Sequence, residues 1–199
     1  MERALKYMKI VISLLFSSFS LFSFAQNTSK KCFFKEVGWR IVMPADFIPF
    51  DSAELSAANQ VGKDTVNDAL SGDTIYFRNL FITVKNDSFA FSASIKPFNE
   101  QREGDYQKTL KSSNDKMVIL LKSKFPSAEL SCRSSSTNID GVLFSEIDFK
   151  TKITDLKVLH FVELTKLYKG YVFSIQYNYR DELTRQQIET ALGESKFDK

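Results

Sequence analysis

The only histidine of the chain, His160, stands between Leu159 and Phe161 in an apolar run that predicts a strand. Because successive strand residues point to opposite faces, the imidazole should face away from both neighbours. Paired with Cys32 or Cys132, or with a serine, it could serve as a general base. The sequence has no Gly-x-Ser-x-Gly elbow, however, and no Cys-x-x-Cys or second histidine that would complete a zinc site. We therefore expect an ordinary strand histidine, no catalytic residue and no metal site.

Carboxylates recur at a spacing of two in the strand-like segment that precedes His160 in the chain. Glu146 and Asp148 should lie on one face, and Glu163 belongs to a strand that we expect to be its neighbour. Paired carboxylates can act as acid and base on a glycan. The alternative, which we favour, is a solvated face on which cross-strand lysines balance the charge. Those lysines are Lys150, Lys152 and Lys166.

A row of tyrosines alternates with smaller residues near the end of the chain. Tyr171, Tyr177 and Tyr179 share one predicted strand face with Phe173 and Ile175. Such a row could line a pocket for a glycan or a lipid. More commonly it belongs to a core, with the hydroxyls at the sheet margin. We expect core and keep the pocket as an alternative.

The two cysteines, Cys32 and Cys132, allow one disulfide. In an oxidising compartment such a pair can form a bridge that closes a long loop. The alternative is two separate thiols, and sequence does not establish whether the residues are close enough to bond.

The amino-terminal segment predicts export. Arg3, Lys6 and Lys9 precede an apolar stretch, and Ala25 follows Ser23-Phe24 at a cleavage position before Gln26. We expect a signal peptide over residues 1–25, a flexible lead-in over 26–36 and a single domain over 37–199. No later segment is long and apolar enough to cross a membrane.

Charge and glycine content exclude several functions. The chain has 27 Lys+Arg and 24 Asp+Glu, and the leader holds three of the bases and one of the acids. The exported part would then have a net charge of +1, which gives no electrostatic basis for binding nucleic acid. The glycines form neither a phosphate loop nor a dinucleotide fingerprint. We predict no cofactor.

Periodicity predicts an α+β fold. The expected order is a strand at 39–43, a loop with two short helical pieces over 51–72, a hairpin that starts at Thr74, a long helix over 105–125 capped by Asp105, a three-strand meander and a final helix from Asp181. The strand after the long helix should fade at Ser134 to Ser136, and Gly193 should take a left-handed conformation after the final helix. The serines of the hairpin at 88, 92 and 94 should face water. The long helix has an apolar stripe that should lie on the sheet.

Four short pieces resemble the PsbP/Mog1-like superfamily. They are Trp39-Arg40-Ile41-Val42-Met43-Pro44-Ala45-Asp46-Phe47, Ile139-Asp140-Gly141-Val142-Leu143-Phe144, Tyr168-Lys169-Gly170-Tyr171-Val172-Phe173-Ser174-Ile175 and the ending Ile188…Leu192…Ser195-Lys196-Phe197. The resemblance covers roughly 37–199 and implies an antiparallel sheet between helices. Members of that superfamily bind partner proteins and are generally not enzymes, and no functional residue is carried over from them.

The sequence therefore predicts a secreted or periplasmic, non-catalytic domain that binds another envelope or secreted protein. One alternative is a carrier of an apolar, lipid-like ligand between the sheet and the long helix. Another is a hydrolase that uses His160 or the pair Glu146 and Asp148. The partner and the oligomeric state do not follow from the sequence.

Overall fold

The computed structural model describes residues 29–69, 78–86, 88–124, 128–154 and 157–198, which form ten strands and four helices. The signal peptide, the cleavage position and the strand expected at 74–77 lie outside these residues. The strands are β1 (Lys30–Phe34), β2 (Trp39–Met43), β3 (Ile48–Pro49), β4 (Arg78–Lys85), β5 (Ser88–Pro97), β6 (Glu129–Ile139), β7 (Val142–Thr154), β8 (Lys157–Tyr168), β9 (Tyr171–Tyr179) and β10 (Lys196–Phe197). The helices are α1 (Ser52–Ala69), α2 (Glu100–Glu103), α3 (Tyr106–Lys124) and α4 (Glu182–Glu194).

Seven strands form one antiparallel sheet in the order β3-β4-β5-β9-β8-β7-β6. Four consecutive strands, β6 to β9, follow one another as a meander, one strand more than expected. Two of its turns have positive φ at both central residues, Asp140-Gly141 and Lys169-Gly170. This geometry matches the twist of paired strands and favours a glycine at the second position.

The small sheet β1-β2-β10 packs on one face of the large sheet. Trp39, on β2, is the centre of this contact: its ring lies 5.4 Å from Phe173 and 6.2 Å from Phe197. Helix α4 closes the same core with Thr184, Ile188, Ala191 and Leu192, the four residues that its spacing predicts. The predicted α+β architecture is confirmed.

The other face of the large sheet carries many hydroxyl side chains. Ser92 and Ser94 on β5 and Ser174 on β9 are all buried, so the prediction of a water-facing serine row is wrong. A hydrogen bond joins helix α1 to β4: the backbone N–H of Asn79 donates to Oδ1 of Asn59 at 2.7 Å. Short side chains let helices pack close to this face of the sheet. The face that was expected to meet water is therefore an interior one.

The domain begins earlier than predicted. Residues 30–34 form β1 and pair with β2 over five positions, where a flexible lead-in was expected. Phe34 is buried, with its ring 5.5 Å from that of Trp39. Five residues that begin with two lysines are too few for alternation to be recognised, and only the partner strand reveals the pattern.

Three local predictions also need correction. Helix α1 is one continuous helix rather than two short pieces. Strand β6 does not fade at Ser134 to Ser136, because β7 pairs with it over its whole length. Gly193 lies within α4, which ends at the cap residue Ser195, so no left-handed glycine terminates the helix. In the described part of the chain, no helix combines the length and apolarity needed to cross a bilayer.

Candidate functional site

His160 and Asp148 form a hydrogen-bonded pair on neighbouring strands β8 and β7. The Nδ1 atom of His160 lies 3.1 Å from Oδ1 and 3.2 Å from Oδ2 of Asp148. The imidazole also stacks on the ring of Tyr179, its register partner on β9, at a centroid distance of 4.5 Å and an interplanar angle of 9°. The three side chains form a partly exposed cluster at the part of the sheet that the small sheet leaves uncovered.

Glu146 and Asp148 both have hydrogen-bond partners on this face, and their balance by cross-strand lysines stays a prediction. Asp148 is bound by His160, and Glu146 accepts hydrogen bonds from the hydroxyls of Ser135 and Thr137. Glu163 points to the opposite face, because it pairs with Ile147 on β7 rather than with Glu146 or Asp148. Glu163 is therefore not brought together with Glu146 and Asp148.

Burial and neighbouring carboxylates raise the pKa of Tyr179 in the cluster and of Tyr177 next to it. Burial, with Asp148 nearby, raises the pKa of Tyr179 to about 12. Burial and the carboxylate of Glu146 raise the pKa of Tyr177 further. Both phenols stay protonated at neutral pH, so neither supplies a general base or a nucleophile there.

A hydrolase triad consists of an imidazole, a carboxylate that orients it and a nucleophile. Among the described residues, Asp148 is the hydrogen-bond partner of His160, and no described serine or threonine bonds to its ring. Partial desolvation of the thiol and the charge of Asp148 raise the pKa of Cys132. A nucleophilic cysteine needs the opposite shift. Within the part of the chain that the structure describes, the cluster holds an imidazole and no activated nucleophile beside it.

The two cysteines are not bonded in the structure, and both thiols are free. Cys32 lies half-buried on β1 of the small sheet, and Cys132 lies exposed on β6, the outermost strand of the large sheet. Burial raises the pKa of the Cys32 thiol. The two residues lie on strands of different sheets, and of the two alternatives the structure has the separate thiols.

The predicted tyrosine row is divided between the two ends of β9. Tyr177 is buried in the core, whereas Tyr179 belongs to the His160 cluster and Tyr171 pairs with Tyr168 beside the hairpin turn. None of these three tyrosines lines either of the two cavities described next. The structure places the row mainly as core, in agreement with the favoured interpretation.

A cavity of about 220 Å³ lies between α3 and the sheet, where an apolar ligand was the alternative prediction. Leu110 and Ile147 are its two aliphatic lining residues, and the other nine are polar or charged. Glu163 lines it too; burial raises the pKa of this carboxyl, which accepts from Gln176 Nε2 at 3.1 Å. Such a lining offers little contact to a lipid chain.

A larger groove of about 390 Å³ runs between β2 and α4, and we call it the β2–α4 groove. Val42 and Leu183 line it and are 40% and 64% exposed. Strand alternation turns Trp39, Ile41 and Met43 inward and leaves Val42 outside. Helix α4 buries its opposite side, which leaves Leu183 outside as well.

Phe33 extends this apolar surface. It lies on β1, opposite Arg40 and diagonal to Val42 on the outer face of the small sheet, and it is 52% exposed. The Arg40 guanidinium stands 4.9 Å from its ring centroid. Sequence reasoning did not find this surface, although the alternation of β2 already placed Val42 on the side away from Trp39.

Comparison with solved structures relates the whole arrangement to a known fold. The chain aligns with the solution structure of cyanobacterial PsbP (CyanoP) from Synechocystis sp. PCC 6803 over 90% of its own length and 98% of that chain. The TM-score is 0.50 and the sequence identity is 9%. The fold is PsbP-like. No protein-family model and no curated protein matches the chain.

The PsbP-like fold accounts for the short sequence pieces that resemble the superfamily. Trp39 and Phe197 meet in its core, and the glycine turns at 141 and 170 join β6 to β7 and β8 to β9. At 9% identity the likeness concerns the fold. The His160 cluster, the cavity under α3 and the β2–α4 groove are therefore interpreted from this chain's own side chains.

Proposed function

We propose that this protein is a secreted or periplasmic, non-catalytic domain that binds another envelope or secreted protein at the β2–α4 groove. The observation that carries the proposal is that two exposed aliphatic residues, Val42 and Leu183, line this groove together. A contiguous exposed apolar surface on a soluble domain commonly marks an interaction site.

The groove suits a protein partner better than a small metabolite. It is open along α4, and Phe33 continues its apolar surface beyond the cavity. Gln186, Gln187 and Thr190 supply polar groups along its helix side. An apolar side chain of a partner could enter between Val42 and Leu183 while polar neighbours pair with the rim, which is the usual anatomy of a protein interface.

Two further observations support this reading. The amino-terminal sequence has the pattern of an export signal. The Asp148–His160 pair lacks a described nucleophile, and the thiol of Cys132 has a raised pKa, which supports a non-catalytic role.

The proposal is tested by photo-crosslinking in the cells that produce the protein. A photoreactive residue is placed at Val42 or at Leu183, and at Ile119 as a control. Ile119 is also a large exposed apolar residue, at 68%, but it lies on α3 and not in the groove. We expect both groove positions to capture one and the same protein, identified by mass spectrometry, and the α3 position not to capture it.

Introducing a negative charge into the groove completes the test. Leu183→Glu should abolish capture from position 42, whereas Ile119→Glu should leave it intact. Both residues are exposed, so both variants should fold normally. Capture that survives Leu183→Glu, or a partner that crosslinks equally from position 119, would overturn the groove as the binding surface.

A further inference from the structure

Strand β6 is a long edge of the large sheet, and the described residues show nothing that blocks it. It pairs with β7 over eleven positions without a register shift, and its other side has no strand partner in the described sheet. Residues 131–136 are all exposed. Such an edge presents a row of free backbone N–H and C=O groups to any strand that can align with it.

The other sheet edges are protected in the ways that proteins normally use. Strand β3, at the opposite edge of the large sheet, has two residues, one of which is Pro49. Strand β1 has five residues and begins with Lys30 and Lys31. Short length, proline and lysine all discourage strand addition. Strand β6 has no proline, no lysine and no bulge.

We propose that β6 pairs antiparallel with β6 of a second copy of this chain, about a two-fold axis at Ser131. This register places Glu129 opposite Arg133 of the second copy and, by symmetry, Arg133 opposite Glu129. The two residues are exposed and differ by four positions, so they share one sheet face. The edge is thus complementary in charge to itself.

The neighbouring strand extends this complementarity. On β7, Asp148 lies opposite Arg133 and Lys152 lies opposite Glu129. Across the two-fold axis, the row therefore reads Asp148, Arg133, then Glu129 and Lys152 of the second copy, with alternating signs. Opposite charges that face one another on adjacent strands stabilise a sheet, and like charges destabilise it. A two-fold axis at Arg133 itself would instead oppose two guanidinium groups.

The other face of the same register is less polar. Leu130 would lie opposite Cys132 of the second copy, and Thr151 and Phe149 on β7 flank these two residues. The pairing covers residues 128–134, so it buries less surface than a permanent dimer needs. We therefore expect a dimer that dissociates on dilution and that salt weakens.

Charge reversal tests the register. By sedimentation of the exported protein over a range of concentrations, Glu129→Arg and Arg133→Glu should each weaken dimerisation about tenfold or more, because two symmetric ion pairs become repulsive. The double variant should dimerise better than either single variant. Lys116→Glu, an exposed charge change on α3, serves as the control and should have no effect.

Cysteine crosslinking tests the position of the axis. In a background of Cys32→Ser and Cys132→Ser, Ser131→Cys brings two thiols opposite each other, at a separation that a disulfide can span. Treatment with diamide should give a covalent dimer from this variant and not from Ser135→Cys. A protein that stays monomeric at all concentrations, single reversals without effect, or equal crosslinking at 135 would overturn the proposal.

Discussion

The indole nitrogen of Trp39 donates a hydrogen bond to the hydroxyl of Ser195 at 3.0 Å, although the two residues stand 156 positions apart in the chain. Both side chains are buried. The Ser195 hydroxyl in turn donates to the carbonyl of Leu192 at 2.7 Å, at the end of α4. The Ser195 hydroxyl thus satisfies the only polar atom of the Trp39 side chain and links the end of α4 to β2.

Ser195→Ala should lower the free energy of unfolding by about 1–3 kcal/mol, because it leaves the Trp39 N–H buried without a partner. Chemical denaturation followed by tryptophan fluorescence measures the change. Ser136→Ala, an exposed serine on β6, is the matched control and should cost less than about 0.5 kcal/mol. An equal effect of the two variants would show that the indole is satisfied by water instead.

Phe173→Ala should destabilise the fold by about 3–5 kcal/mol, the usual cost of removing a large buried side chain. Phe173 is fully buried, and its ring contacts those of Trp39, Phe144 and Phe197. Phe33→Ala removes the same side chain from an exposed position and should cost far less. A denaturation midpoint close to that of the parent protein would mean that this sheet face is open.

Glu163→Gln should stabilise the protein at neutral pH. Burial raises the pKa of this carboxyl in the folded state, so the folded protein holds the proton to a higher pH than the unfolded chain does. Stability therefore falls as pH rises from the ordinary carboxyl pKa to the raised one, and stays lower above it. An amide at this position keeps the acceptor for Gln176 and removes this loss of stability with rising pH.

Denaturation midpoints between about pH 4 and about pH 8 check this prediction. The denaturation midpoint should fall less with rising pH in Glu163→Gln than in the parent protein. Glu100→Gln, which removes a charge at an exposed position on α2, is the control and should not stabilise the protein. A destabilised Glu163→Gln variant at neutral pH would indicate that the charged carboxylate has a stabilising partner.

His160→Ala should leave partner binding intact. The imidazole lies outside the β2–α4 groove and is partly exposed, so its loss should change the free energy of unfolding by about 1 kcal/mol or less. Complementation of a deletion strain at equal protein levels compares this variant with the parent and with Leu183→Glu. Loss of function in His160→Ala, with an unchanged circular dichroism spectrum, would make this histidine the centre of a site.

Export should remove residues 1–25. Mass spectrometry of the protein recovered outside the cytoplasm should then show Gln26 as the first residue, because Ala25 completes the small-residue pattern that signal peptidase recognises. Ala25→Arg should block this cleavage while leaving export-signal hydrophobicity unchanged. Recovery of the uncut parent chain from the membrane would contradict the prediction.

The sequence alone determined the elements whose pattern is strong and local. The alternation of β9, the helical spacing of α3 and the caps Asp105 and Asp181 predicted elements that the structure contains. Each of these signals depends on residues that are near one another in the chain. The turns with glycine at 141 and 170 were also readable, since a positive φ at that position favours glycine.

Tertiary structure decided which faces are covered and which residues meet. Strand β1 has too few residues to show its period, and β6 continues through its serines only because β7 pairs with it. The serines of β5 are buried, although a serine row that alternates with apolar residues is typical of a solvent-facing strand face. Val42 and Leu183 come from distant segments, and only the packing of α4 against β2 joins them in one groove. Burial depends on what packs on a face, whereas alternation shows only that two faces differ.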